Sequence, residues 1–225
     1  MIVVIAGPGD AGALRLVERW GAAEAAVLRP EDLSRPGWVH RPDRPGSGRA
    51  VVAGREVATT QITAVLSRRA CVLPGELGWL AAEDRDYAAT EMTAFLVSWL
   101  SWLPCPVLNR PQPNCLCGPN WSATRWRAAA ARSGLAPAPP GEIAAGSARV
   151  VGAYVIGAPD AELAGKARRL ATAAGVELLS VGFSAGNARF TGASLWPDLD
   201  DGAVVEALEP LLGLAAPVEP LVAAG

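Results

Sequence analysis

The sequence predicts an α/β protein built in two blocks, because it opens with a buried strand and an amphipathic helix and returns to strand and helix patterns after a proline-rich segment. Residues 2–6 form an unbroken apolar run, typical of a parallel strand buried on both faces. Residues 11–20 place apolar side chains on one helical face, and Gly21 ends this helix before a second apolar run at residues 25–28. A strand, a helix and a strand in this order predict a parallel sheet.

The next part of the first block is less regular. Residues 29–48 are polar and rich in proline and glycine, so we expect a long surface loop that holds Trp38 and the only histidine, His40. Residues 50–58 predict a small hairpin that turns at Gly54 and the arginine after it. A solvated position is expected for the histidine, which leaves it without a catalytic partner.

A core strand and a long helix complete the first block. Residues 62–66 predict the strand, and a helix is expected to begin near Asp84 and to end near Leu103. The predicted apolar stripe of this helix comprises Tyr87, Met92, Phe95, Leu96, Trp99, Leu100 and Leu103. Residues 107–108 then predict a short strand, and residues 121–133 a further helix.

The segment at residues 135–147 is the expected linker, because it is rich in alanine, proline and glycine and carries a single charge, Glu142. We therefore expect a first domain at residues 1–134, a second at residues 148–215, and a partly ordered tail at residues 216–225. The second block predicts a strand, a helix, a strand pair and a closing helix. These elements are expected at residues 149–156, 160–174, 176–183 with 189–194, and 201–212.

Composition excludes several classes of function. The chain has 225 residues, 20 Lys and Arg against 22 Asp and Glu, and a formal net charge of −2, so it lacks the basic excess that holds nucleic acid. Only one cation is a lysine, Lys166, which excludes chemistry that needs two lysines. The most apolar stretch, residues 92–103, is too short to cross a membrane. Four cysteines and no secretory signal predict free thiols in the cytoplasm.

One glycine motif suggests a nucleotide site. Gly7, Gly9 and Gly12 fit the G-x-G-x-x-G pattern directly after the first strand, the context in which a dinucleotide-binding loop occurs. Pro8 lacks a backbone donor, and the acidic residue expected directly after the second strand is replaced by Leu28-Arg29-Pro30, although Arg29 there suits a 2′-phosphate. A tight strand-to-helix turn is the alternative interpretation, and the motif leaves both open.

Other candidate sites are weaker. Cys115 and Cys117 offer half of a structural zinc site, whose remaining ligands would have to come from cysteines and a histidine far along the chain, so no metal is expected. Buried thiols are the commoner alternative. Several of the eight tryptophans fall beside proline-rich turns, where they either line a binding groove or close the two domains against each other.

The order of several segments resembles the ATP-grasp peptide ligases, and within them the microviridin-type (graspetide) ligases that modify ribosomal peptides. The segments that carry the resemblance are residues 62–69 (ITAVLSRR), 84–91 (DRDYAATE), 106–111 (PVLNRP), 132–137 (RSGLAP), 170–183 (LATAAGVELLSVGF) and 189–197. The resemblance implies a Rossmann-like pre-ATP-grasp domain followed by a remnant of the C-terminal ATP-grasp domain.

The departures from that family determine the expected function. The family carries a lid subdomain with nucleotide-clamping lysines where this chain has only residues 135–147, and magnesium ligands where this chain has residues 191–197 (TGASLWP). Phosphoryl transfer needs such a cationic clamp and metal. We therefore expect a pseudoenzyme without catalytic residues or cofactor, whose lid is missing.

The resemblance then implies a cytoplasmic peptide-binding protein. It is expected to recognise the leader of a precursor peptide and to present it to tailoring enzymes, in a pathway like that of the crocagins. The expected groove residues are Arg68, Arg69, Asn109, Trp121 and Trp196. A homodimer is expected through the apolar helix face at residues 95–103. Two alternatives stay open: an NADP- or ATP-dependent enzyme that uses the glycine motif, and a structural subunit of a split ligase.

Overall fold

The computed structural model describes residues 1–44, 46–186 and 188–214, and the chain divides into two compact units, residues 1–120 and 121–225. The division falls earlier than the one expected between residues 134 and 148. The expected tail, residues 216–225, lies outside the described residues.

The first unit is built on a four-stranded parallel sheet in the order β2-β1-β5-β6. Its strands are β1 (Ile2–Ile5), β2 (Ala25–Leu28), β3 (Arg49–Val52), β4 (Arg55–Ala58), β5 (Ala64–Ser67) and β6 (Val107–Leu108). Its helices are α1 (Ala11–Trp20), α2 (Pro30–Leu33) and α3 (Arg85–Trp102). The residues of β1, β2 and β5 are buried throughout, as expected for parallel strands covered on both faces.

Helix α1 has a capping residue at its N-terminus and a glycine directly after its C-terminus. The carboxylate of Asp10 accepts a hydrogen bond from the Ala13 backbone N–H at 3.0 Å, which caps the first turn. Gly21 follows the helix with a φ of 83°, a conformation that favours glycine. Both ends agree with the sequence prediction.

The loop at residues 29–48 lies at the surface as expected, but residues 30, 32 and 37–40 are buried or half-buried against the unit. It contains the short helix α2, and the Trp38 indole donates to the Asp32 carbonyl at 2.8 Å. His40 Nε2 lies 2.9 Å from the Ser98 hydroxyl, and burial lowers the pKa of this imidazole. The expectation of a solvated histidine is therefore wrong, because the aromatic side chains of this loop find partners on α3.

Strands β3 and β4 form a separate antiparallel hairpin that turns at Ala53 and Gly54, one residue earlier than expected. Both turn residues have positive φ, 49° and 74°. The Asp32 carboxylate accepts from both of their backbone N–H groups, at 3.1 and 2.8 Å. The turn is thereby tied to the start of α2.

Helix α3 lies where predicted, but its apolar stripe is shorter than expected. Tyr87 is 72% exposed, whereas Leu96, Trp99 and Leu100 are buried in the core of the first unit. The face at residues 95–103, expected to pair two copies of the chain, is thus largely buried within one copy. A homodimer would need a different surface.

The second unit carries a four-stranded antiparallel sheet in the order β10-β9-β7-β8. Its elements are α4 (Ala123–Arg132), β7 (Gly146–Val151), β8 (Tyr154–Ile156), α5 (Ala161–Ala174), β9 (Leu178–Phe183), β10 (Phe190–Ser194) and α6 (Gly202–Leu211). The single strand expected at residues 149–156 is therefore two strands, which turn at Gly152 with a φ of 57°.

The first part of the expected linker, residues 135–138, packs onto the second unit, whereas residues 139–146 are exposed. Leu135 and Ala138 are buried, and the Ala138 N–H donates to the Phe190 carbonyl at 2.8 Å. The Arg127 guanidinium donates to the Ala138 carbonyl at 2.7 Å. The connection between α4 and β7 is therefore packed at its start and exposed over the rest of its length. No helix within the described residues is long and apolar enough to cross a membrane.

Candidate functional site

The parallel sheet of the first unit places a crevice at the carboxyl ends of β1 and β5. The chain passes from β1 to β2 on one side and then to β5 on the other, so the strand order reverses between β1 and β5. Open α/β sheets bind ligands at such a reversal. A cavity of ≈ 460 Å³ lies there, bordered by Gly7, Pro8, Gly9, Asp10, Arg68, Arg69, Ala70, Cys71, Leu73 and Glu76.

Arg68, predicted as a groove residue, lines this cavity but is held by an internal ion pair. Its Nε lies 2.7 Å from Asp10 Oδ2, and both side chains are mostly buried. Asp10 also caps α1, so a carboxylate and a guanidinium together occupy the helix start. The two charges largely neutralise each other at the mouth of the cavity.

Arg69 supports the cavity wall. Its guanidinium pairs with the Glu76 carboxylate and donates from Nε to the Cys71 carbonyl at 2.9 Å. Glu76 in turn accepts from the Leu73 N–H at 2.9 Å. Because Arg69 is buried and its hydrogen bonds are used within the loop, we correct its predicted role from ligand contact to support of the loop at residues 70–76.

The other polar residues at this end of the sheet are also buried. Asn109 follows β6 and is 2% exposed, so it cannot contribute its side chain to an open groove as predicted. Ser67 ends β5, and its buried hydroxyl has no hydrogen-bond partner in the part of the chain that the structure describes. Ser67 was not predicted from the sequence. The one feature that could have indicated it is its position as a polar residue at the end of an apolar strand.

The glycine motif at residues 7–12 forms a strand-to-helix turn whose geometry disfavours a phosphate. Neither Gly7 nor Gly9 has a positive φ, and a Cβ added at Gly9 would meet no atom within 4 Å. The carboxylate of Asp10 lies at the N-terminus of α1, where a phosphate would otherwise bind. Because this carboxylate already accepts from the first turn of the helix, the turn interpretation fits the structure better than the nucleotide interpretation.

We expect neither ATP nor NADP to raise the melting temperature of the wild-type protein. A ligand present at one hundred times its dissociation constant adds about 2.7 kcal/mol to the free energy of unfolding, which thermal denaturation detects readily. The variant Asp10→Ser tests whether the Asp10 carboxylate is what keeps a nucleotide from this turn, because serine preserves the helix cap and removes the charge. A clear nucleotide-dependent shift in the wild type would restore the enzyme alternative.

The thiols of Cys115 and Cys117 lie side by side in the loop that follows β6. Their sulfur atoms are 3.6 Å apart, and both side chains are buried. The pKa of Cys115 is lowered to about 6, chiefly because the Cys117 thiol hydrogen-bonds to its sulfur, while burial opposes the shift. None of the four cysteines forms a disulfide within residues 1–44, 46–186 and 188–214, and no cluster of three or more metal-ligating side chains occurs in the same ranges.

This thiol pair predicts a pH-dependent stability. The pKa of Cys115 is lowered from the ordinary thiol value of 9.0 to about 6, so its contribution is full above pH 9 and is lost as the pH falls through 6. Cys117→Ala should remove the ultraviolet thiolate titration near pH 6 and flatten this part of the stability profile. Cys71→Ala should leave both unchanged, and an unaltered titration in Cys117→Ala would contradict the assignment.

The two predicted tryptophans belong to the second unit, so the five groove candidates divide between the units. Trp121 lies against Trp126 with ring centroids 4.8 Å apart, and the Arg125 guanidinium covers its ring at 4.5 Å. Trp196 follows β10 and is 44% exposed. Of the five candidates, Trp196 is thus the most open to a ligand, while Trp121 is half-buried among its neighbours.

The sheet of the second unit has one apolar and one polar face. Arg149, Ser180 and Ser194 pair with one another across β7, β9 and β10, and therefore share a face. The Arg149 guanidinium pairs with Asp201 and donates to the Ser147 carbonyl at 3.0 Å. Its Nε and the Thr191 hydroxyl are buried without a hydrogen-bond partner among the described residues. This polar face was not identified from the sequence.

The fold of the chain is that of the ATP-grasp ligases associated with ribosomally synthesised, modified peptides. ATP-grasp ligase PsnB, solved with a minimal precursor, has a TM-score of 0.68 and 15% identity, covering 93% of this chain and 98% of that chain. Macrocyclase MdnC from Microcystis aeruginosa, bound to precursor peptide MdnA, has a TM-score of 0.63 and 10% identity, covering 94% and 99%.

A third structure extends the comparison. The RiPP-associated ATP-grasp ligase of Chryseobacterium gregarium, solved with ADP and a leader and core peptide, has a TM-score of 0.63 and 13% identity, covering 96% of this chain and 97% of that chain. No protein-family model and no curated protein matches the sequence. The expected fold class is therefore confirmed by structure.

Proposed function

We propose that this protein is a non-catalytic peptide-binding protein of the cytoplasm, which recognises the leader of a ribosomally made precursor and presents it to tailoring enzymes. The observation that carries the proposal is the shared fold: over 93% of the chain it follows a ligase solved with its precursor. A pathway that forms pyrroloindolines, like that of the crocagins, is the setting we propose.

The charges of the first unit support a binding role over phosphoryl transfer. At the crevice, Arg68 is neutralised by Asp10 and Arg69 by Glu76, so neither guanidinium is free to clamp a triphosphate. Transfer of a phosphoryl group requires cations directed at the transferred group. The two internal ion pairs instead stabilise the loops that border the crevice.

The only lysine of the chain is also engaged. Lys166 lies on α5, and its Nζ is 2.6 Å from Glu162 Oε1, one turn earlier on the same helix. An ion pair within one helix stabilises that helix by a few tenths of a kcal/mol. This arrangement supports a structural role for Lys166 rather than a role in holding a phosphate.

The polar face of the second sheet is poorly suited to magnesium. Strands β9 and β10 carry serine, threonine and glycine there, and neither strand contains a carboxylate or amide side chain. The Arg149 guanidinium lies on the same face and is paired with Asp201, so this carboxylate is already engaged by an internal cation. Hard cations require several oxygen ligands, preferably charged.

A reconstituted pathway tests the proposal. The precursor encoded beside this protein is incubated with its tailoring enzymes, in the presence and absence of this protein, and product masses are followed over time. We expect faster modification with the protein present, and no loss of water from the precursor when only this protein, ATP and magnesium are supplied. ATP-dependent loss of water from the precursor would show an active ligase and overturn the non-catalytic assignment.

A further inference from the structure

We infer that a groove between helices α4 and α5 of the second unit binds an acidic segment of a peptide through three exposed arginines. This inference deepens the proposed function and rests on it for the source of the peptide. The groove is a surface cavity of ≈ 610 Å³, a size usual for ligand clefts. Its lining includes Arg132 at the end of α4 and Gly165, Arg168, Arg169, Thr172 and Ala173 of α5.

The arginines of this groove are open to solvent. Arg132, Arg168 and Arg169 are all exposed residues, and so are Thr172 and Ala173 beside them. A ligand therefore reaches the three guanidinium groups without displacing a packed side chain.

The positive charge of the groove is not neutralised within the described chain. None of its three arginines forms an ion pair with a described residue, and no carboxylate belongs to its lining. Helix α4 contains no acidic residue, and Glu162 in the first turn of α5 is already paired with Lys166. By contrast, Arg68, Arg69 and Arg149 each have a carboxylate partner. A cleft lined by charge of one sign concentrates ligands of the opposite sign.

Arg169 is held in position by the residues around it. Its Nε donates to the Ser133 carbonyl at 3.2 Å, directly after α4. A Cβ added at Gly134 would lie 3.4 Å from Arg169 Nη2, and one added at Gly165 would lie 3.6 Å from Nη1, so the guanidinium lies against two residues without side chains. Because the side chain is already ordered, a ligand that binds it loses less side-chain entropy than it would at a mobile arginine.

The charges of the groove are attached to different elements, which favours a peptide over a single phosphate. Arg168 donates to the Ala153 carbonyl at 2.6 Å, in the turn between β7 and β8, whereas Arg169 is tied to the end of α4. Arg132 donates no side-chain hydrogen bond to any described residue. Separate arginines match separate carboxylates, each of which an arginine holds by two parallel hydrogen bonds. The groove also lies at the C-terminus of α4, whereas phosphate sites commonly use a helix N-terminus.

The probe for this inference is a capped hexapeptide in which glutamate alternates with alanine, and its control carries glutamine in place of glutamate. Binding to the full-length protein is measured by calorimetry at low ionic strength. We expect saturable one-to-one binding of the glutamate peptide, weakened several-fold when salt is raised from about 0.05 to 0.5 M. No binding of the glutamate peptide, or equal binding of the glutamine peptide, would overturn the inference. Tighter binding of inorganic phosphate than of the glutamate peptide would overturn the choice of a peptide as the ligand.

Paired charge variants locate the site. Arg132→Gln with Arg168→Gln should weaken the glutamate peptide by about tenfold and remove most of the salt dependence. Arg41→Gln with Arg189→Gln removes the same charge from two exposed positions outside the groove and should change affinity less than twofold. Equal losses in the two double variants would indicate general attraction to the protein surface and refute the groove.

A single variant separates a binding role from a structural role. Arg132→Gln removes one charge and breaks no side-chain hydrogen bond within the described chain, so its melting temperature should stay at or above that of the wild type at low salt. Its affinity for the glutamate peptide should nevertheless fall several-fold. Unchanged affinity, or a clearly lower melting temperature, would contradict the assignment of Arg132 to the ligand.

The inference and the proposed function fail separately. If the wild type binds its precursor peptide and the double variant at Arg132 and Arg168 binds it equally well, the proposed function stands and the groove is wrong. If the glutamate peptide binds as expected while the precursor does not bind, the groove stands and the proposed function is wrong.

Discussion

Replacing Trp99 by alanine should lower the free energy of unfolding by about 3–5 kcal/mol, because it removes a large buried ring and leaves a cavity. Trp99 is 1% exposed, and the ring of Trp38 meets it edge-on with centroids 5.4 Å apart. The indole therefore joins α3 to the loop at residues 29–48. Urea denaturation followed by far-ultraviolet circular dichroism measures the loss.

Trp102→Ala is the matched control, since Trp102 lies three residues later on the same helix and is 50% exposed. Its loss should be smaller, about 1–2 kcal/mol, because half of its surface stays in water and its removal leaves no enclosed cavity. Trp99→Phe should fall between the two variants, since it keeps an aromatic ring and removes an indole N–H that has no partner among the described residues. Equal losses for Trp99→Ala and Trp102→Ala would contradict the core assignment.

Asp32→Ala should lower the free energy of unfolding by about 2–3 kcal/mol, because one buried carboxylate satisfies three backbone N–H groups. Two of these groups belong to the turn at Ala53 and Gly54, which lies more than twenty residues away in sequence. Loss of the carboxylate should therefore also loosen the hairpin. Hydrogen exchange at these two amides, together with urea denaturation, measures both effects.

Asp43→Ala is the control for this prediction. Among the described residues Asp43 pairs only with its neighbour Arg44, at 3.5 Å, and both side chains are about 70% exposed. Exposed ion pairs of this kind contribute little, so no measurable change in stability is expected. Unchanged exchange at Ala53 and Gly54 in Asp32→Ala would show that the carboxylate does not hold the turn.

The regular elements were predictable because their signals are local. Helix α1 has its cap, its apolar face and its terminal glycine within twelve residues, and it begins and ends as predicted. Strands β1 and β2 are short runs of buried apolar residues. The hairpin β7–β8 was predicted as one strand, because Gly152 was the only interruption in an otherwise apolar segment.

The site was less predictable, since it depends on contacts between distant residues. Arg69 and Asn109 follow strands, where polar residues commonly line a ligand site, but nearby loops bury both side chains. Burial of this kind has no local pattern. The resemblance to peptide ligases supplied the fold, whereas the ion pair of Arg68 with Asp10 became visible only in three dimensions.

The position of β2 in the sheet illustrates the same limit. The apolar run of β2 is visible in the sequence, but the sheet order that leaves it at the edge is not. Similarly, Arg29 and Arg55 stand 26 positions apart and line one cleft because the hairpin turn lies next to β2. Sequence reasoning assigned Arg29 only to a possible 2′-phosphate.

The most direct test of the account is a calorimetric titration of the purified protein with the leader half of its precursor peptide, without ATP or magnesium. The account predicts saturable one-to-one binding with micromolar or tighter affinity, and the same affinity when ATP and magnesium are added. Absence of binding to the leader, or binding that requires nucleotide, would contradict the conclusion that this ligase fold serves recognition without catalysis.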